Sequence, residues 1–217
     1  MDLLSFARGP GLQWALTVFL LGVCWRLAGI LLLRRPPDYS EPRNTAAWTG
    51  AFKLIVSRSW PKREFAARTA FAETMSYVFH IGLVVVVFGF APHILLIENL
   101  TGLSWPNLPT GLVTLSAALT VGALAVLLVR RLVHPVLRLI SNFDDYFSWL
   151  MTFLPVVTGM MATAHFGARY ETMLAVHILS AELLLIWLPF GKLMHSFLVF
   201  VSRATTGVLF TRKGAAL

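Results

Sequence analysis

Five long apolar runs divide this sequence of 217 residues. Each run has about 20 residues or more, the length that a helix needs to cross a hydrocarbon layer of ~30 Å. The composition agrees, because only 13% of the residues are charged, against about 25% in an ordinary soluble domain. The sequence therefore predicts an all-α membrane protein, a five-transmembrane-helix bundle that forms a single domain over residues 1–217. The predicted helices cover about residues 11–33, 70–96, 110–129, 146–164 and 172–201, and a basic cytoplasmic loop covers residues 34–69.

The basic residues are distributed unevenly between the loops. Five crossings place successive loops alternately on the two sides of the membrane. Fourteen of the eighteen Lys and Arg residues lie in segments 34–68, 130–142 and 202–217, whereas the opposite set of segments holds only Arg8 and Arg169. Since cytoplasmic loops carry the excess of Lys and Arg, we expect the N-terminus outside and the C-terminus in the cytoplasm. This distribution accounts for the net charge of +8 without a nucleic-acid partner, and we predict none.

The longest loop contains aromatic and aliphatic residues interleaved with basic ones between Asn44 and Trp60. Three interpretations stay open for this stretch. It is a helix lying at the membrane interface with Trp48, Phe52 and Trp60 toward lipid, a partly ordered basic loop, or a docking surface for a cytoplasmic partner.

Six histidines are the polar residues of most interest in this apolar chain. Ionisable residues are rare inside membranes and are often functional there. A single membrane histidine is equally well explained as a polar residue hydrogen-bonded to a neighbouring helix, but a set is harder to explain in that way. His134 falls in a cytoplasmic loop, and the other five lie in or at the ends of predicted helices two, four and five: His80, His93, His165, His177 and His195.

His177 and His195 are eighteen residues apart in the last run. Eighteen residues make five whole turns of a straight helix, so both rings would lie on one face and be separated by ~27 Å. Helix two runs in the opposite direction, which predicts the pairs His80–His195 and His93–His177. Paired neutral imidazoles suit haem iron, and ligation by two histidines leaves no open position, which favours electron transfer. Zinc or copper is less expected, because neither thiolates nor clustered carboxylates accompany these histidines.

The spacing within helix two does not fit an ideal helix. His80 and His93 are thirteen residues apart, which turns the two rings ~220° away from each other. Pro92 removes a helical hydrogen bond and can kink the segment, and this would re-aim His93. His165, at the end of helix four, is the alternative partner of His177.

Four stretches resemble the gamma subunit family of respiratory nitrate reductase. The chain resembles still more closely the relatives that serve as membrane cytochromes of sulfite-reductase-associated and heterodisulfide-reductase-like complexes. The matching stretches are FHIGL with His80, APHILL with His93, FDDYFSWLMTFLPVVTGMMATAH ending at His165, and MLAVHILSAELLLIWLPFGKLMH with His177 and His195.

The resemblance implies a dihaem cytochrome b in a bacterial or archaeal inner membrane. Family members hold two b-type haems in five helices and pass electrons between membrane quinone and cytoplasmic iron–sulfur subunits of a respiratory complex. They carry no catalytic residues of their own for the substrate chemistry of the complex. By resemblance, His80 and His195 would bind the inner haem and His177 the outer one.

One position departs from the nitrate reductase branch of the family. There the second histidine of helix two follows a glycine, ten residues after the first histidine. Here Phe90 follows Gly89, and we expect His93 to serve instead, as in the more distant relatives.

Cations near the inner face would complete a haem site, because haem propionates are anionic. Arg26 and Arg130 are the expected partners. Arg26 could instead snorkel, with its aliphatic chain in the membrane and its guanidinium at the membrane–water interface. Two other functions stay open at this point: proton or ion transport through the membrane histidines, and a haem-free membrane anchor that only assembles other subunits.

Overall fold

The computed structural model describes residues 2–33 and 38–215, and within these two ranges it contains helices and no strand. The predicted stop of the first helix at Arg34–Pro37 lies outside the described residues. A π-helical turn over Ala7–Gly11 lies within α1, and a short 3₁₀ turn over Lys192–Met194 precedes α9. The helices are α1 (Leu3–Leu31), α2 (Ala47–Ser57), α3 (Arg63–Gly89), α4 (Ala91–Thr101), α5 (Thr110–Val133), α6 (Pro135–Ile140), α7 (Phe143–Thr163), α8 (Tyr170–Trp187) and α9 (His195–Arg212).

Six of these helices are long and apolar enough to cross a membrane: α1, α3, α5, α7, α8, and α9 with the turn before it. Their outward faces carry large apolar side chains such as Leu21, Trp25 and Leu115, which are 60% or more exposed. In water such a surface would drive aggregation, whereas hydrocarbon solvates it. The chain is therefore a multi-pass helical membrane protein.

The last predicted helix, residues 172–201, is interrupted in the structure. Helix α8 ends at Trp187, and α9 begins at His195. Pro189 has no N–H to donate to the preceding turn, and Gly191 is extended with φ −96° and ψ −174°. Pro189 is almost fully buried and fits against Gly22 of α1, where an added Cβ would lie 2.6 Å from Pro189 Cγ. Because two candidate spans share one apolar run, the number of crossings stays a prediction.

The second predicted helix, residues 70–96, is also two helices. Helix α3 begins earlier, at Arg63, and ends at Gly89, and α4 continues to Thr101. Phe90 separates them with an extended backbone, φ −85° and ψ 125°. The predicted loop over residues 34–69 is correspondingly shorter, because α2 and about two turns of α3 lie within it. The third and fourth predicted helices match α5 and α7 to within a few residues at each end.

Small residues mark the closest helix contacts. Helix α3 approaches α5 at Gly82, where an added Cβ would overlap the Thr120 hydroxyl. Helix α2 lies antiparallel along α9, and the backbones meet at Gly50 and Gly207. Small side chains are the usual means by which membrane helices approach each other closely. Helix α2 therefore docks on α9 through its glycine face and leaves Trp48 exposed.

Replacing Gly207 with Ala is expected to separate α2 from α9. The new Cβ would overlap the Gly50 carbonyl and lie 2.8 Å from Ala51 Cα, which are backbone atoms that cannot rotate away. We expect a loss of ~1–3 kcal/mol of unfolding free energy, the usual cost of overpacking, measured by thermal unfolding in detergent. The matched control is Gly122→Ala, which has nothing within 4 Å of its new Cβ and should keep or slightly raise stability. Equal unfolding temperatures for the two variants would contradict this account.

Candidate functional site

Two pairs of histidines face each other between different helices. His80 in α3 and His195 at the start of α9 have ring centres 6.1 Å apart, with their planes at 88°. His93 in α4 and His177 in α8 have ring centres 6.0 Å apart, with their planes at 23°. These are the two pairs that the antiparallel helices predict, and the structure brings all four rings together two by two.

Each of the four rings is fixed by a hydrogen bond from Nδ1 to a backbone carbonyl. The acceptors and distances are Ser76 at 2.7 Å for His80, Val86 at 2.9 Å for His93, Pro155 at 2.9 Å for His177, and Lys192 at 2.8 Å for His195. A carbonyl can only accept, so Nδ1 must carry the proton, and Nε2 keeps a free lone pair. No described residue hydrogen-bonds to any of the four Nε2 atoms. This is the arrangement that metal-binding histidines adopt, with one nitrogen anchored and the other available.

The break at Phe90 explains how His93 reaches its partner. On a continuous helix His93 would point away from the face that carries His80, and the new helix axis after Phe90 removes that constraint. The kink lies at Phe90, two residues before Pro92. Pro92 is near the first position of α4, where its missing N–H costs least.

Neighbouring residues satisfy the carbonyl groups that the break leaves without helical partners. Pro92 cannot donate to Phe88, and the Trp105 indole N–H bonds to that carbonyl at 2.6 Å. The backbone N–H of Leu108 donates to the carbonyl of Gly89 at 2.9 Å. No pattern in the sequence assigns this structural role to Trp105, because the contact joins two segments across a loop.

The shared-face argument for His177 and His195 is wrong in its premise, because α8 and α9 do not form one straight helix. His195 is instead positioned by the turn that precedes α9, where the carbonyl of Lys192 accepts its Nδ1 proton. His177 is positioned within α8 by close contact with α7. An added Cβ on Gly159 would lie 3.0 Å from Cε1 and 3.1 Å from Nδ1 of His177, so the ring needs a glycine at that place.

The remaining histidines lie away from the two pairs. His165 follows the end of α7 with φ 52° and stacks on Tyr170, with ring centres 5.2 Å apart. It is exposed, and the ring beside His177 is that of His93. His134 is exposed between α5 and α6.

The donor set of each pair fits a haem better than a bare metal ion. Among the described residues, no group of three His, Cys, Asp or Glu side chains could hold a metal ion. A porphyrin supplies four nitrogens itself and requires only two axial ligands from the protein. Two imidazoles that bind one iron from opposite sides through bonds of ~2 Å have ring centres about 6 Å apart. Both pairs have that separation.

An open groove of about 560 Å³ borders His195. Its lining includes Arg26, Lys192 and Met194, and the Lys192 ammonium also binds Asp145 Oδ2 at 2.6 Å. The predicted propionate partner Arg26 therefore lies where an anionic group next to His195 could reach it. The other predicted partner, Arg130, is half-buried in the last turn of α5 and is not among the described residues that line the groove.

Replacing Trp105 with Phe should loosen the junction between α3 and α4. The change removes the indole donor and leaves the Phe88 carbonyl without its partner. A lost hydrogen bond of this kind costs ~1 kcal/mol, which lowers the unfolding temperature of a chain of this size by about 2–4 °C. Trp14→Phe, at a position 70% exposed on α1, is the matched control and should leave the unfolding temperature unchanged. An equal shift of the unfolding temperature in both variants would contradict the predicted structural role of Trp105.

Comparison with known proteins finds a bacterial relative that aligns with almost the whole chain. No family model matches it, and no solved structure matches it. It is 32% identical over 209 residues to a protein of Nitratidesulfovibrio vulgaris strain Hildenborough, an alignment that covers 94% of this chain and 92% of the relative. The relative is described only as "Protein" and so assigns no activity. The chain belongs to the same protein family as this bacterial relative.

Proposed function

We propose that this chain is a dihaem cytochrome b, the membrane subunit of a quinone-linked redox complex. One observation carries the proposal: two pairs of histidines whose Nδ1 atoms are bonded to backbone carbonyls and whose rings face each other with centres about 6 Å apart. In this reading His80 and His195 hold one haem, and His93 and His177 hold the other. A haem with two histidine ligands has no open position and serves to carry single electrons.

The protein's own contribution is to hold the imidazoles in place. Because Nδ1 donates to a carbonyl, each ring keeps one tautomer and one direction, and its Nε2 is more basic as a ligand. Arg26 and Lys192 at the groove beside His195 offer positive charge to the anionic edge of the group bound there. The substrate chemistry of the complex belongs to the partner subunits in this proposal.

The two pairs lie at different depths, which suits transfer of electrons across a membrane. The His80 and His93 rings are anchored to the carbonyls of Ser76 and Val86, which are ten residues apart in α3, or ~15 Å of helical rise. The resemblance to the nitrate reductase gamma family supplies the electron donor and acceptor classes: membrane quinone on one side, and iron–sulfur subunits in the cytoplasm on the other. A bacterial or archaeal inner membrane follows from the same proposal, and the relative in Nitratidesulfovibrio vulgaris supports a bacterial one.

The topology that we propose has five crossings, with the N-terminus outside and the C-terminus in the cytoplasm. The Arg203 guanidinium contacts the Ser59 hydroxyl at 3.4 Å, and the hydroxyl of Tyr77 donates to the carbonyl of Ser59. Tyr77 precedes His80 in α3, so α9 runs from His195 toward the basic first turns of α3 and away from the other pair. With the His80–His195 pair near the basic side of a ~30 Å layer, α9 would leave the layer before its end.

Purified protein should contain about two b-type haems per chain, one for each histidine pair. Pyridine haemochrome analysis against protein concentration measures this ratio, and a reduced-minus-oxidised spectrum separates the proposal from a transporter or a haem-free anchor. A ratio near zero would remove the functional proposal. A ratio near one would leave a single pair as a haem site.

Single alanine substitutions should remove one haem at a time. His80→Ala or His195→Ala leaves one axial ligand for the first haem, and His93→Ala or His177→Ala does the same for the second. Each variant should therefore lose about half of the low-spin haem signal, measured by absorbance and electron paramagnetic resonance.

The controls for these variants are the two histidines outside the pairs. His134→Ala should keep both haems, and His165→Ala should at most shift the potential of the haem held by His177. If His165→Ala removed a haem while His93→Ala kept both, the ligand role would pass to His165.

A further inference from the structure

The connection between α8 and α9 is held from the side by the first turn of α7. Both carboxylate oxygens of Asp144 accept the backbone N–H of Lys192 at 3.1 Å. The carbonyl of the same residue, Lys192, accepts the Nδ1 proton of His195 at 2.8 Å. Lys192 thus links Asp144 to the His195 imidazole, with its N–H bonded to the carboxylate and its carbonyl bonded to the ring.

The same carboxylate also fixes the other end of the connection. The Trp187 indole N–H donates to the Ser148 hydroxyl at 2.9 Å, and that hydroxyl donates to Asp144 Oδ1 at 2.6 Å. Trp187 is the last residue of α8. Asp144 therefore ties the end of α8 and the turn before α9 to one point on α7.

Gly191 makes this close approach feasible. An added Cβ on Gly191 would overlap Trp187 Nε1 and lie 3.0 Å from Asp144 Oδ1. The backbone between Trp187 and Lys192 consequently fits around the carboxylate without a side chain in between.

Asp144 is not needed to cap its own helix. Asn142 is the N-cap of α7, and Asp145 completes the reciprocal capping box with it. Asp145 also binds the Lys192 ammonium at 2.6 Å and the Arg131 guanidinium at 3.0 Å. The two adjacent carboxylates are therefore divided between two tasks: Asp145 serves the helix end and the cations, and Asp144 serves the backbone before His195.

We propose that Asp144 is the positioning residue for His195, and that it acts by fixing the Lys192 backbone whose carbonyl orients the imidazole. The proposal rests on the proposed haem site formed by His80 and His195. The role of Asp144 is to provide an acceptor oxygen at this place, since both of its oxygens lie 3.1 Å from the Lys192 nitrogen. Groups that orient a metal-binding histidine through its second nitrogen typically change metal affinity 10- to 100-fold when they are removed.

Three variants of the full-length protein test this role. Asp144→Ala removes every acceptor, and Asp144→Asn keeps one acceptor oxygen for Lys192 while removing the charge. Glu171→Gln is the matched control, because it also neutralises a carboxylate in the first turn of a helix, but at the opposite end of α8 from the connection to α9, where its exposed side chain pairs with Arg169.

The first measurement is the electron paramagnetic resonance signal and the occupancy of each haem in the purified variants. Asp144→Ala should shift the signal of the haem held by His195 and weaken its binding about 10-fold, while the haem held by His177 keeps its signal. Asp144→Asn should restore most of the wild-type signal, and Glu171→Gln should leave it unchanged. An unchanged haem signal in Asp144→Ala overturns the proposal. Equal loss in Asp144→Ala and Asp144→Asn would assign the effect to charge and also overturn it.

The second measurement does not depend on haem and separates this proposal from the functional one. Hydrogen–deuterium exchange of peptides that cover residues 188–195 should be faster in Asp144→Ala than in the wild type, because the Lys192 N–H loses its acceptor. Glu171→Gln should match the wild type in these peptides. If the wild type contained no haem, the functional proposal would fail, and this exchange difference alone would decide whether Asp144 holds the connection. Equal exchange in all proteins would overturn the role of Asp144.

Discussion

In a hydrocarbon layer every backbone polar group needs a partner within the protein, and this constraint organises the two histidine pairs. The chain breaks helical order twice inside its apolar runs, at Phe90 and between Leu188 and Gly191. A histidine follows each break within four residues, His93 after Phe90 and His195 after Gly191. The partner of each lies in an uninterrupted helix, His80 in α3 and His177 in α8. In each pair, one histidine is therefore positioned by a regular helix and the other by a break in helical structure.

Much of the fold could be predicted from the sequence, because the length and polarity of a membrane-spanning helix are strongly constrained. The apolar runs locate α5 and α7 within a few residues. The same reasoning failed to place the breaks, since a run such as residues 172–201 is equally apolar whether or not it is continuous. A helix was one of the three interpretations of residues 44–60, and α2 forms there. The sequence did not indicate that α2 would dock on α9 through Gly50 and Gly207, because the role of a glycine in a close contact depends on its neighbour in the fold.

The candidate site shows a similar division between what sequence could and could not predict. The partners within the two pairs follow from counting residues along antiparallel helices. Counting residues per helical turn did not apply to His195, and it predicted that His93 would point away from the face of His80. Both predictions failed because the position of each ring depends on backbone that is not helical. The groups that stabilise these breaks, Trp105 and Asp144, come from other segments of the chain. Hydrogen bonds between distant segments leave no periodic pattern, so the sequence alone could not assign them.

The two pairs differ in what surrounds them, and the difference follows from where each break occurs. The turn before His195 contains Lys192, and the adjoining groove is lined by Arg26, so this pair lies beside cations. Lys192 is also ion-paired to Asp145, which is shared with Arg131. The His93–His177 pair lies instead between Phe90, Gly159 and the carbonyl groups of α3 and α7. Under the proposed function, the haem held by His80 and His195 would meet charged groups of both signs, whereas the haem held by His93 and His177 would meet aromatic side chains and backbone carbonyls.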